Sequence, residues 1–201
     1  MSKNRYHHGN LKTELVTAGL LLADKSGFEA ISLRELARDT NVTPAAALRH
    51  FDDLAHLKAE ISQNAREELA RQCLTAWAKI GSSEITRESA IERFDSLARC
   101  YVSFAQAHTN LFNAAFALCE RQPAAPDDPS PFALLEEVIE DLVSLGVISK
   151  TLRTEAPLVA WSMVHGLATL ESHNLVHVSG FEGDGGELVV NALHAALFET
   201  K

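Results

Sequence analysis

Two helix starts stand eleven residues apart, at Ser32 and Thr43, and almost nothing separates the helices they open. Ser32 is a good N-cap and Glu35 follows three residues later, the spacing of a capping box. Thr43 is a second cap, with Pro44 at the first helical position, where a missing N–H costs nothing. The pattern predicts a short helix from Leu33 to near Thr40, a tight turn at Asn41-Val42, and a second short helix through His50, closed by Phe51. Upstream, Leu11, Leu15, Ala18, Leu21 and Leu22 recur at helical spacing from Asn10, and Gly27 ends that helix as a C-terminal cap. Three helices joined by very short turns, the last two crossing sharply, form a helix-turn-helix.

In that geometry the second helix enters the DNA major groove by its N-terminal end. Thr43, Ala45, Ala46 and Arg49 are predicted to face outward, with Leu36, Val42, Leu48 and Phe51 closing a small core behind them. Small side chains let the helix sit deep, and an alanine methyl can touch a thymine methyl. Thr43, Arg49 and His50 offer polar contacts to phosphate or base edge, and Ser32 and Arg34 join them from the start of the preceding helix. The net charge of −9 argues against a polyanionic partner, but its distribution does not. Residues 1–60 carry eight Lys/Arg against eight Asp/Glu, whereas residues 61–201 carry ten against nineteen. The first twelve residues hold Lys3, Arg5 and Lys12 with His7 and His8 and no acid, a basic arm on a neutral module.

The remainder reads as helices throughout, so the fold class expected is all-α: an N-terminal three-helix module and a C-terminal helical bundle. Asp52 and Asp53 cap a long helix from Leu54 to Ile80. Thr86 starts one to about His108, Thr109 or Asn110 a shorter one to Glu120, and Ser130-Pro131 one that Gly146 ends. Thr154 caps another to about Asn174, and a last helix runs from about Glu187 to Phe198. Phe94, Tyr101, Phe104, Phe112, Phe116, Trp161 and His165 lie at helical spacing, as core or as the lining of an apolar pocket with a polar anchor. Leu158, Val164, Leu167, Leu170, Leu188, Val189, Ala192, Leu193 and Ala196 suit either an intramolecular core or a close-packed seam between two copies. Cys73, Cys100 and Cys119 read as small buried hydrophobes, with redox sensing as the alternative. With no signal-peptide pattern and no long apolar run, a cytoplasmic location without membrane contact is expected. The nine histidines show no metal-ligand spacing, and no catalytic triad or phosphate loop is apparent, so neither metal, cofactor nor enzymatic activity is expected.

The run Ile31-Ser-Leu-Arg-Glu-Leu-Ala-Arg-Asp-Thr-Asn-Val-Thr-Pro-Ala-Ala-Ala-Leu-Arg-His-Phe51 resembles the signature of the TetR family. Its spacing back to Gly27-Phe28 and forward to Leu57 fits too. Tyr6-His-His-Gly-Asn-Leu11 is similar to the arm of one branch, and Trp161-Ser-Met-Val-His165-Gly166 resembles a Trp…His-Gly motif of that branch's C-terminal domain. The resemblance implies an Ω-shaped homodimer that reads two half-sites of operator DNA, joins through its last two helices, and encloses a small-molecule effector pocket. Ligand would swing the long helix, respace the two reading modules and release DNA. The division implied is residues 1–54 for DNA and 55–201 for sensing and dimerisation, with repression as the default role.

Two positions depart from the family pattern. Leu48 stands where a tyrosine usually offers a phosphate its hydroxyl, and Leu54, flanked by Asp52 and Asp53, stands where a lysine is common. They motivate a rival reading, a TetR-like ligand-binding or protein-interaction module with weakened DNA binding. A helical-bundle enzyme is the other rival, opposed by the missing catalytic residues.

Overall fold

The helix Leu54–Ile80 is the longest in the chain and contributes to two compact units. One takes in the chain to Ala65 and the stretch after Asn110; the other comprises Arg66–Thr109 and the chain from Ser130 onward. The structure is a computed structural model describing residues 11–81, 84–120 and 130–199. Among these the secondary structure is helical apart from a single antiparallel bridge, Ile148 to Phe198.

The first unit is built on α1 (Leu11–Ser26), α2 (Leu33–Asp39), α3 (Pro44–Ala47), the first three turns of α4 (Leu54–Ile80) and, later in the chain, α6 (Thr109–Ala115). The buried face of α1 runs through Leu11, Leu15, Val16, Gly19 and Ala23. Leu21, which shares the helical spacing of the apolar set, is 69% exposed. The face turns toward Gly19 because a Cβ there would lie 2.3 Å from Ile61 Cδ1, so the bare backbone of α1 seats this fully buried side chain of α4. Gly27 ends α1 at φ +87°, where an L side chain is strained.

The turn between α2 and α3 is a Schellman motif. Asn41 takes φ +55°, its N–H reaches Arg38 O at 3.1 Å, and Val42 N–H reaches Ala37 O at 2.8 Å. Ser32 Oγ accepts from Glu35 N–H at 3.2 Å, but the Glu35 carboxylate pairs with Arg38 instead of reaching back, so only half of the expected capping box forms. Thr43 Oγ1 accepts from Ala46 N–H at 3.1 Å. The helix that Thr43 opens stops at Ala47, short of His50. Beyond it the winding tightens to bonds three residues apart, Arg49 N–H to Ala46 O at 3.2 Å and His50 N–H to Ala47 O at 3.0 Å. That extra rotation buries Ala47 and Phe51 and turns Leu48 outward to 43% exposure, correcting its expected place in the core.

Helix α6 stops at Ala115, ahead of the expected Glu120. Ser62 Oγ on α4 donates to Ala115 O at 3.2 Å and so satisfies a carbonyl that another turn would have used.

In the second unit α5 (Arg87–Ala107) packs against α7 (Pro131–Ser144), α8 (Ala156–Ser172) and α9 (Gly185–Leu197). Thr86 and Ser89 form a full capping box at the start of α5. Ser130 caps α7 before Pro131. Thr154 does not cap α8: a 3-10 turn at Lys150–Leu152 runs on through Glu155 N–H to Leu152 O at 3.1 Å and winds Thr154 inside it. Helix α9 starts at Gly185, slightly before Glu187, because Asp184 caps it by accepting from Glu187 N–H at 3.0 Å. Two polar links tie α9 to α5: Arg99 Nε to Glu187 Oε1 at 2.6 Å, and His194 Nε2 to Asp95 Oδ1 at 2.6 Å.

The Gly19–Ile61 seat is testable by a double-mutant cycle in chemical denaturation. Gly19→Val should cost about 1–3 kcal/mol as an overpacked core. In an Ile61→Ala background, where the obstructing methyl is gone, the same change should cost markedly less. Equal costs in both backgrounds would refute the seat.

Candidate DNA-reading face and ligand cavity

The three-helix corner presents the N-terminal turn of α3 outward. Thr43, Pro44, Ala45 and Arg49 are exposed, with Ala46 and His50 half-buried beside them. Thr43 spends its oxygen lone pair on the Ala46 amide, which leaves its O–H to donate. Arg34 is exposed on α2, and among the described residues neither it nor Arg49 is in an ion pair. Other cations here are occupied. Arg38 pairs with Glu35 and Asp39, and these two carboxylates raise its pKa. Lys58 Nζ lies 3.3 Å from Glu29 and over the Phe28 ring.

Lys12, expected to serve the basic arm, is also occupied. Its ammonium sits 3.0 Å from Glu60 Oε1 and 5.7 Å from the Phe51 ring centroid, joining α1 to α4 behind α3. Lys3 and Arg5 lie outside the described residues, as do His7 and His8. The acidic pair before α4 has a structural use: Asp53 Oδ1 accepts from His56 N–H at 2.7 Å, and an N-terminal carboxylate favours the helix dipole. Asp52 N–H donates to His56 Nδ1 at 3.3 Å, and the His56 ring meets Phe51 edge-on at 5.6 Å.

The second unit holds a small apolar cavity of about 20 Å³. Phe94, Leu97, Ala98 and Tyr101 of α5 line one side; Pro131 and Leu135 of α7, Ala160, Trp161 and Val164 of α8, and Leu193 of α9 line the rest. That volume admits about one water molecule. Polar groups meet only at one edge. The Tyr101 hydroxyl lies 2.8 Å from His165 Nδ1 and accepts from Trp161 Nε1–H at 3.3 Å. Burial lowers the His165 pKa, so near neutrality the ring is uncharged and its Nδ1 accepts a hydrogen bond from the Tyr101 hydroxyl. Burial raises the pKa of Tyr101.

Of the aromatic residues expected at a pocket, Phe94, Tyr101 and Trp161 meet here and His165 stands behind them. Phe104 is fully buried elsewhere on α5. Phe112 and Phe116 pair with each other at 5.1 Å in the first unit, because α5 ends at Ala107 and the chain crosses to the other core. Spacing alone could not register that crossing. Val164 lines the cavity, whereas Leu158, Leu188 and Ala196 are exposed and Leu167 and Ala192 half-buried on α8 and α9. The cavity residues that sequence reasoning missed, Leu97, Ala98, Pro131, Leu135, Ala160 and Leu193, are the ordinary apolar positions facing Trp161, and nothing in their residue types marks them.

Helical corner and helical bundle together define the fold class of a helix-turn-helix regulator. A family model described as "Tetracyclin repressor-like, C-terminal domain" matches residues 94–196, about half of the chain. The chain therefore belongs to the TetR family of DNA-binding transcription regulators, which are not enzymes. No curated protein matches the sequence. Solved structures with the same fold include a protein of unknown function from Rhodococcus sp. RHA1, 24% identical, with a TM-score of 0.73 over 98% of this chain and 100% of that one. RolR in complex with the ligand resorcinol is 14% identical, with a TM-score of 0.60 over 94% of this chain and 88% of that one. BioQ with its natural double-stranded DNA operator is 21% identical, with a TM-score of 0.51 over 92% and 98%. Among the described residues no helix is long and apolar enough to cross a membrane.

The His165 assignment has a pH signature. Its pKa is lowered from 6.5, so acid favours the unfolded chain, which takes up the proton first. Stability contributed by the neutral ring is therefore fully present above about pH 6.5 and lost as pH falls from there through the lower folded value. An NMR titration of the ring nitrogens should give a His165 midpoint below 6.5. A midpoint at or above it would contradict the buried neutral ring.

Proposed function

We propose that the chain is a homodimeric repressor that binds a near-palindromic operator through α3 and releases it when a small apolar ligand occupies the cavity between α5, α7, α8 and α9. The observation that carries the DNA half is the exposed first turn of α3: small Ala45 and Ala46, an available Thr43 O–H, and Arg49 without an ion pair one turn on. A small-residue turn allows close approach to base edges, while Arg34 and Arg49 supply charge for phosphate or guanine. In this reading residues 1–54 meet DNA, with Ser32 and His50 in supporting roles and Lys3 and Arg5 as arm contacts, and residues 55–201 sense and dimerise. The operator bound by BioQ and the resorcinol bound by RolR are consistent precedents on the same fold.

Support for the dimer comes from α8 and α9. Leu158 is 60% exposed and Leu188 42%, and with Leu170, Gly166 and Ala196 they make an apolar, small-residue surface on adjacent helices. Two such surfaces can pack as a four-helix seam. Effector entry requires the cavity to open from its present volume, so the ligand acts by preferring a more open state. Cytoplasmic action follows from this role.

Leu48 supports the second reading, a module with weakened DNA binding. Its exposed apolar side chain lies on the reading face and offers no phosphate a hydroxyl. Fluorescence anisotropy against DNA upstream of the chain's own gene, with a scrambled control, separates the two. Arg49→Ala should weaken operator binding more than threefold and flatten its salt dependence. Leu48→Tyr should strengthen it. Equal affinity for both DNAs, unchanged by Arg49→Ala, would favour the second reading.

A further inference from the structure

The first unit has a hollow of its own, an open cleft of about 400 Å³. It is far larger than the cavity of the second unit, and its volume falls in the range of roughly 300–1,000 Å³ common to small-molecule sites. Phe28 and Glu29, in the 3-10 turn after α1, line one side, and Leu54 and Lys58 of α4 another. Leu118 and Glu120, past the end of α6, line the third. All of them belong to the first unit, so the cleft lies wholly within it. Phe28 and Leu54 are half-buried and Leu118 is fully exposed, so apolar area here meets solvent that an occupant would displace. The charges are unequal. Lys58 is occupied, its Nζ 3.3 Å from Glu29 Oε2 and 5.0 Å from the Phe28 ring centroid, with its side chain only 20% exposed. The Glu29 side chain is 93% exposed, and Lys58 engages one of its two carboxylate oxygens. Glu120 is exposed and, among the described residues, in no ion pair. Two carboxylates therefore border the cleft against one ammonium that already has its partners.

We propose that this cleft binds a small amphipathic amine, one cationic head on an apolar body, at a site separate from the cavity of the second unit. The ammonium head, protonated near neutrality, pairs with the Glu120 carboxylate, and the second oxygen of Glu29 adds to the negative potential. The apolar body covers Leu118 and the exposed parts of Leu54 and Phe28. A carboxylate of the same shape is disfavoured, because it reaches Lys58 only by displacing Glu29 and then meets the like charge of Glu120. A neutral analogue keeps the apolar contact and forgoes the ion pair. Exposed ion pairs are weak, so discrimination by charge is several-fold and not absolute. The site stands on the first unit alone and does not depend on what the second unit binds.

The test uses the full chain, labelled with nitrogen-15, at neutral pH and with probes of one shape: 4-phenylbutylamine, 4-phenylbutanol and 4-phenylbutyrate. In NMR titrations the amine should shift the amides of Leu54, Lys58, Leu118 and Glu120 saturably. The alcohol should bind at the same amides roughly threefold or more weakly, and the butyrate more weakly still. Glu120→Gln, a change at an exposed side chain, should weaken the amine by about the same factor and leave the alcohol unchanged. No saturable shift at these amides with millimolar amine would overturn the site, as would amine shifts confined to cavity residues such as Ala98 and Val164. Equal affinity for the amine and either analogue, or equal weakening of amine and alcohol by Glu120→Gln, would overturn the role given to charge and with it the proposal.

Discussion

Helix α4 is buried along most of its length, and it is a core element of both units. Leu57, Ala59, Ile61 and Ala65 are fully buried toward its start, and Leu69, Ala70, Cys73 and Trp77 are buried toward its end. Apart from the first residue of α6, every other helix among the described residues lies within one unit. The first unit could not seat its three-helix corner without the Ile61 side chain against Gly19, nor end α6 without the Ser62 hydroxyl on Ala115. The second unit sets α5 in register through Trp77 and the Arg93 carbonyl. A helix with interior positions all round must be continuous, and a break in it would expose apolar surface in both units.

The two candidate sites follow different physical rules. The face on α3 is small, solvent-exposed and polar at its margins, and among the described residues Lys12, Arg38 and Lys58 are held by carboxylates of their own unit. On the proposed reading, specific contact there would depend on close approach more than on accumulated charge. The cavity is apolar, and the Tyr101 hydroxyl is hydrogen-bonded to His165 and Trp161 at one edge, a lining without a formal charge that fits a neutral occupant better than an anion. The polar trio also fixes α5 to α8 beside the cavity, so an occupant that disturbed it would have to offer equivalent hydrogen bonds.

Much of the architecture was legible in the sequence because caps are local chemistry. Ser32, Thr43, Thr86 and Ser130 each begin a helix where their side-chain oxygens can accept a backbone amide. What the sequence could not show was decided by distant partners. Leu48 faces outward because tightened winding after Ala47 gave the core to Phe51. Leu21 faces outward because the buried face of α1 passes through Gly19, whose missing side chain leaves room for Ile61. Thr154 lost its capping role to a turn begun at Lys150. Phe112 and Phe116 share the helical spacing of the cavity aromatics yet belong to another core, a distinction that lies in the path of the chain and not in residue type.

The central claim is that the exposed turn of α3 reads DNA sequence. Genomic fragments selected by the intact protein, followed by hydroxyl-radical footprinting of the enriched ones, test it most directly. One enriched near-palindrome is expected, with two protected half-sites roughly 34–36 Å apart along one face of the duplex. Recovery of fragments with no shared sequence and no footprint would contradict it.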